Sequence, residues 1–210
     1  MGLGKLKKII GIPIRVRPII DIQQYEGIDK SYSGGSLYNK NTIFVSNFIK
    51  NVTNSFNEII KTEGIHAISY YDNNDVIDGS DIKRLSGELL GPMTNIVNIF
   101  IVKSNDEQEV YKIYNSIQNE VSYLVENDIQ GSISTALVYD SALPVATKSA
   151  VQGLRGLIEG LGTRLPNHGI VSNGVIAEKN TPVEMVINTL LYFNGKYGCV
   201  LDGEIMELKE

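Results

Sequence analysis

The sequence predicts a three-layer α/β sandwich, a mostly parallel sheet with helices packed on both faces. Two observations predict it. Short β-branched runs alternate with amphipathic stretches of helical length, the pattern of repeated βαβ units. The chain has 210 residues, 42% hydrophobic and 20% charged, which suits one sizeable core and not clearly two. Neither an internal repeat nor a domain linker is visible, so residues 1–210 read as a single domain.

The elements follow in order. Residues 1–40 form a basic, irregular arm carrying Lys5, Lys7, Lys8, Arg15 and Arg17, with Pro13 and Pro18 interrupting any helix. Residues 31–41 are a loop by composition. Asn41–Val45 reads as a strand. Phe48, Val52, Phe56, Ile59 and Ile60 fall on one helical face that Gly64 stops. Ile65–Tyr70 reads as a strand and 71–80 as a loop. Ile82–Leu90 looks helical, whereas Ile96–Val102 suits either a strand or a buried helical turn. Ser104 and Glu107 form a capping box for a helix over 104–126, whose stripe runs through Val110, Ile113, Tyr114, Ile117, Val121 and Leu124. A strand at 131–138, a helix at 146–165 and a strand at 170–177 come next. Thr181 as N-cap, Pro182 at the first helical position and Glu184 open a last helix to Phe193. Residues 198–208 close the chain as a strand.

Charge and composition narrow the function. A net charge of −5 and a pI of about 5.2 oppose a nucleic-acid partner. No apolar run approaches the ~20 residues of a membrane span. Gly2 invites myristoylation, but Leu6 stands where Ser or Thr is needed. Cys199 is the only cysteine and reads as a small buried hydrophobe. These features suit a cytoplasmic protein. His66 and His168 lack a metal or base partner at a recognised spacing, so no metal site is expected.

The stretch Ala146-Thr147-Lys148-Ser149-Ala150-Val151-Gln152-Gly153-Leu154 resembles the "ASKAAVxGL" that opens the active-site helix of short-chain dehydrogenases/reductases. Gly131-Ser132-Ile133-Ser134 is similar to that family's "GSIVNISS" strand, and Gly169-Ile170-Val171-Ser172-Asn173-Gly174-Val175 to its "GIRVNAV". Thr181-Pro182-Val183-Glu184 and Gly203-Glu204-Ile205 resemble its last helix and terminal strand. The ordered set covers about residues 131–208. It implies a Rossmann-like fold, here N-terminally truncated or remodelled, and NAD(P)-dependent reduction, with 3-oxoacyl reductases as the nearest type.

The family's proton relay pairs a Lys with a Tyr four residues earlier, and a Ser orients the substrate. Lys148 takes the place of the Lys, but Pro144 stands four residues earlier. The Ser position falls at Ala136 or Ser134, Ala136 in the better register. Tyr139, nine residues before Lys148, is the substitute acid. The family's "NNAG" corresponds to Tyr70-Tyr71-Asp72-Asn73, and Ala177-Glu178 replaces its "PG". The glycine-rich turn that cradles a pyrophosphate is absent: Gly2-Leu3-Gly4 and Gly34-Gly35 lack the strand–turn–helix context, and no βα units are found upstream of residue 41. Lys148, Tyr139 and Ser134 therefore read as vestigial, and no cofactor is expected. The alternative is an active NAD(P)-dependent reductase using Lys148 and Tyr139.

Ser149, Gly153, Gly156 and Gly160 share one face of the 146–165 helix. Each helical Gly costs up to about 1 kcal/mol against Ala, which suggests close approach of another backbone, the sheet or a second subunit. The resemblance implies pairing through the helices at 104–126 and 146–165, with an identical or a related subunit. The function expected is that of a non-catalytic structural or regulatory subunit.

Overall fold

The computed structural model describes residues 41–47, 55–59, 66–71, 76–103, 107–142, 144–195 and 201–208, all within the unit Ser33–Glu210. The basic arm, the Gly34-Gly35 loop, Phe48, Val52, Ile60, Gly64, Asp72-Asn73, the Ser104 cap and Cys199 lie outside the described residues. The elements are β1 (Asn41–Ser46), β2 (His66–Tyr71), α1 (Gly79–Glu88), β3 (Asn95–Val102), α2 (Glu107–Glu126), β4 (Gly131–Tyr139), α3 (Val145–Arg164), β5 (Ile170–Glu178), α4 (Val183–Asn194) and β6 (Ile205–Leu208). Helical residues at 55–59 stand between β1 and β2.

All six strands are parallel, in the order β2-β1-β3-β4-β5-β6. Parallel pairing demands crossovers, and crossovers cover both faces, so the strands are apolar on both sides. Ile96, Phe100, Ile133 and Leu137 pack against Ile82 of α1, Ile117 of α2 and Val151 of α3. Val97, Ile99, Ala136 and Val175 face α4 through Val186, Ile187 and Leu190. On that second side Phe56 stacks on Phe44 of β1, ring centroids 4.0 Å apart.

Several expectations are resolved or corrected here. The ambiguous run at 96–102 is β3, buried on both faces, which is why it lacks alternation. β1 and β2 are the two strands on the near side of the reversal in strand order. The usual doubly wound order carries three there, so that half is remodelled among the described residues. Thr181 does not cap α4. Pro182 occupies the cap position with no side-chain cap bond, and the Thr181 N–H donates to the Glu178 carbonyl at 2.9 Å. The closing strand is confined to Ile205–Leu208.

The glycines of α3 divide by face. A Cβ on Gly153, Gly156 or Gly160 would meet nothing within 4 Å, so the sheet is not what these residues approach. Gly162 is the one in close contact: a Cβ there would run into the backbone of Gly203, which itself adopts φ +74°. Only glycine fits at both positions. Gly162→Ala is therefore expected to destabilise the fold by about 1–3 kcal/mol. Gly156→Ala should stabilise it by up to about 1 kcal/mol through helix propensity alone. Urea denaturation of the two variants checks this, and equal responses would contradict the packing described.

Candidate functional site

In open parallel sheets ligands lie beyond the carboxyl ends of the strands, where the strand order reverses. Here that point lies between β1 and β3. It is stitched by side chains. Ser46 Oγ donates to the Ile99 carbonyl at 3.0 Å. Asn47 Nδ2 donates to the Ile101 carbonyl at 3.1 Å, and the Ile101 N–H donates to Asn47 Oδ1 at 2.8 Å. Asn47 thus behaves as an added rung of the ladder, extending β1 toward β3 with an amide side chain. The sequence from Ser46 onward, SNFIKNVT, holds no glycine. A pyrophosphate cradle requires bare backbone N–H groups at this turn, and these residues do not fit one.

The strand order also moves the family's "NNAG" position. The strand across the reversal point from β1 is β3, which ends at Val102, and not β2. Tyr70-Tyr71 end β2 on the opposite side, and the Tyr70 hydroxyl lies 3.4 Å from Asp81 Oδ2 on α1.

A cavity of about 500 Å³ opens beyond the ends of β3, β4 and β5 beside the start of α4. Its walls are aliphatic, including Ile99, Ile101, Val138 and Val186, and its polar groups are Lys103, Tyr139, Asp140, Lys179 and Thr181. The Lys179 ammonium lies 3.4 Å from Asp140 Oδ2. Asp140 Oδ1 accepts the Ala142 N–H at 2.9 Å. That backbone bond and the lysine hold the Asp140 carboxyl below its usual range. At the end of β5, Glu178 Oε2 accepts from Ser141 Oγ at 3.0 Å.

The three candidate catalytic residues occupy different surroundings. Tyr139 is half-buried on the cavity wall. Lys148 is exposed in the first turn of α3, and Pro144 is the N-cap of that helix. Ser134 is fully buried in mid-strand, where its Oγ donates to Asn194 Oδ1 of α4 at 2.7 Å. Tyr139 stands five positions after Ser134, an odd offset, so their side chains leave β4 on opposite faces. As an orienting partner for Tyr139, Ser134 is therefore ruled out, and its hydroxyl is a packing contact. Ala136, on the same face as Ser134, packs in the α4 core. His168 is exposed, and His66 Nδ1 is buried with no partner among the described residues.

One titratable group was not legible in the sequence. Glu120 of α2 is fully buried against the sheet. Asn98 Nδ2 of β3 donates to its Oε2 at 2.6 Å and to Thr135 Oγ1 of β4 at 3.2 Å. Burial pushes its pKa up to about 8, and the Asn98 bond offsets part of that rise. The stripe Ile113, Ile117, Leu124 places position 120 on the buried face. That periodicity was the available signal.

No protein-family model matches the chain, and no curated protein does. Solved structures do. An acetoin dehydrogenase from Enterobacter cloacae is 12% identical with a TM-score of 0.61, over 80% of this chain and 94% of the other. A short-chain dehydrogenase/reductase family oxidoreductase from Brucella ovis, in complex with a partially ordered NAD, gives 12% and 0.61 over 81% and 100%. A dehydrogenase/reductase from Sinorhizobium meliloti gives 14% and 0.61 over 84% and 96%. At such identities the likeness is one of fold. The chain has the Rossmann-like fold of these oxidoreductases, with a six-stranded parallel sheet among the described residues. Among the described residues no helix is long and apolar enough to cross a membrane.

Glu120 sets a pH signature. Its folded pKa exceeds the ordinary 4.5, so between pH 4.5 and about 8 the folded state holds a proton that the unfolded state has released. Stability must then fall as pH rises through that window, by up to about 1.4 kcal/mol per unit. Glu120→Gln removes the ionisation. Unfolding free energies at pH 5, 6.5 and 8 should diverge in favour of the glutamine variant as pH rises. Parallel pH curves would contradict this assignment.

Proposed function

We propose that this chain, built on the short-chain dehydrogenase fold, is a non-catalytic subunit that pairs with itself or with a complete member of that fold. The observation that carries this reading is the dispersal of the relay: Ser134 bonded into the α4 core, Tyr139 on the cavity wall, and Lys148 exposed behind a capping proline. A lysine with no phenol one turn away cannot lower a phenol's pKa or pass its proton. The Asn47 clamp and the lack of a glycine turn support the further statement that NAD(P) is not bound. A single cysteine suits the cytoplasm.

Pairing is supported by the outer surface of α2 and α3. A groove of about 780 Å³ between them is lined by Val110, Tyr111, Tyr114, Ala150, Gly153 and Leu157, among others. Tyr111 and Tyr114 are 64% and 42% exposed. Gly153, Gly156 and Gly160 leave the adjoining face of α3 without side chains, the surface that allows another backbone to approach. The specific observation favouring an active reductase instead is Tyr139 on the wall of a cavity sized for a small molecule.

Two measurements separate these readings. NADH and NADPH at millimolar concentration should leave the melting temperature of the purified chain unchanged, whereas a dinucleotide bound well below that concentration must raise it. A rise, together with a reductase rate that falls in Tyr139→Phe, would establish the active reading. For pairing, Gly156→Glu should reduce the assembly seen by sedimentation to the single chain while unfolding stability is kept. An assembly unchanged by this variant would reject the α2–α3 surface as the contact.

A further inference from the structure

Beyond the pairing reading, and independent of it, the buried group around Glu120 has the make-up of a pH-sensitive latch. We propose that Glu120 is a neutral carboxylic acid whose Oε1 hydroxyl donates to Asn98 Oδ1, and that loss of this proton frees α2 from the sheet.

Glu120, Asn98 and Thr135 are all buried. Asn98 Nδ2 carries two hydrogens, and both are committed. One goes to Glu120 Oε2 at 2.6 Å and one to Thr135 Oγ1 at 3.2 Å. Two oxygens of the same bonded pair are left over: Glu120 Oε1 and Asn98 Oδ1 are buried with no partner among the described residues. With the carboxyl ionised both are acceptors, and neither can satisfy the other. A proton on Glu120 Oε1 makes it a donor. The acid–amide pair then uses every polar atom of the two groups.

The surroundings supply no charge in place of that proton. β3 and β4 have no charged residue. On α1, Asp81 and Glu88 pair with Arg84, and Lys83 is exposed. On α3, Lys148 and Arg164 are exposed, and Arg155 pairs with Glu159 and Glu207. On α2 itself, Lys112 and Glu126 are exposed, Glu109 accepts the Lys103 N–H, and Tyr123 shares a bond with Ser86. Burial acts most strongly on Glu120, then the Asn98 bond, and no cation contributes. Ionisation therefore leaves a bare carboxylate in the core beside a second orphan acceptor. Moving α2 brings Glu120 to water, at the expense of the Ile113, Ile117 and Leu124 contacts that seat the helix. α2 carries Tyr111 and Tyr114 on its outer side, so its release takes apart the groove it forms with α3.

The test has two arms on the full chain. At pH 7, infrared difference spectra of the unmodified chain against Glu120→Gln should show one carbonyl stretch of a protonated carboxylic acid, at a pH where exposed carboxylates are ionised. In amide hydrogen exchange, the opening constant of α2 relative to that in Glu120→Gln should rise about tenfold per pH unit from about pH 5 to 7.5, because opening releases the proton. At pH 7.5, α2 should open at least about tenfold more often than α4 on the other face of the sheet. The glutamine variant donates to Asn98 Oδ1 with no titratable proton, so it keeps α2 closed across this range. Glu120→Leu cannot donate, and its α2 should open about tenfold more often than the glutamine variant's at pH 5. A missing carboxylic band at pH 7, equal opening constants for α2 and α4 at every pH, a pH slope kept in Glu120→Gln, or a leucine variant as closed as the glutamine one would overturn the proposal.

Discussion

The side-chain amide of Asn47 holds the place on which the functional reading depends. A parallel sheet of this order has one gap where strands run outward to either side, and that gap is where a nucleotide's phosphates enter. Asn47 spans it with a donor and an acceptor to Ile101, and Ser46 adds a bond to Ile99. Each such bond contributes about 1 kcal/mol net, but its geometric effect is larger. It ties the residue that follows β1 to the end of β3.

Strand parity governs the remaining polar chemistry. Side chains alternate between a face covered by α1, α2 and α3 and a face covered by α4. Polar residues on each face must find partners within it. On one, Asn98 Nδ2 donates to both Glu120 and Thr135. On the other, Ser132, Ser134, Asn95 and Asn194 do. Ser134 thus spends its hydroxyl on packing α4, and the sheet itself separates it from Tyr139 and α3. The cavity survives because it lies past the strand ends, where parity no longer sorts the side chains.

Much of this architecture is legible in the sequence. The alternation of β-branched runs and amphipathic stretches marks β3 through α4 to within a few residues, since each element's apolar period is set by the face it buries. The vacancy opposite Lys148 is also plain, because Pro144 has neither a hydroxyl nor an N–H. The comparison of "NNAG" with Tyr70–Asn73 fails for a physical reason. Counting strands along the chain assumes that none is missing, and only hydrogen-bonded order shows that β3 adjoins β1. The Asn47 clamp and the unpaired Thr181 were hidden for another reason: both depend on residues more than forty positions away or on what fails to approach. The glycines of α3 read as a contact surface, yet only packing distinguishes Gly162 against Gly203 from the bare Gly153, Gly156 and Gly160.

The most direct measurement of the central claim is amide hydrogen exchange at Ile101, followed with and without NADPH. Asn47 Oδ1 should protect this N–H strongly; the protection should be lost in Asn47→Ala, and the rate in the unmodified chain should not change when NADPH is added. Fast exchange in the unmodified chain, or a rate that changes on adding the dinucleotide, would contradict a sheet closed at its reversal point.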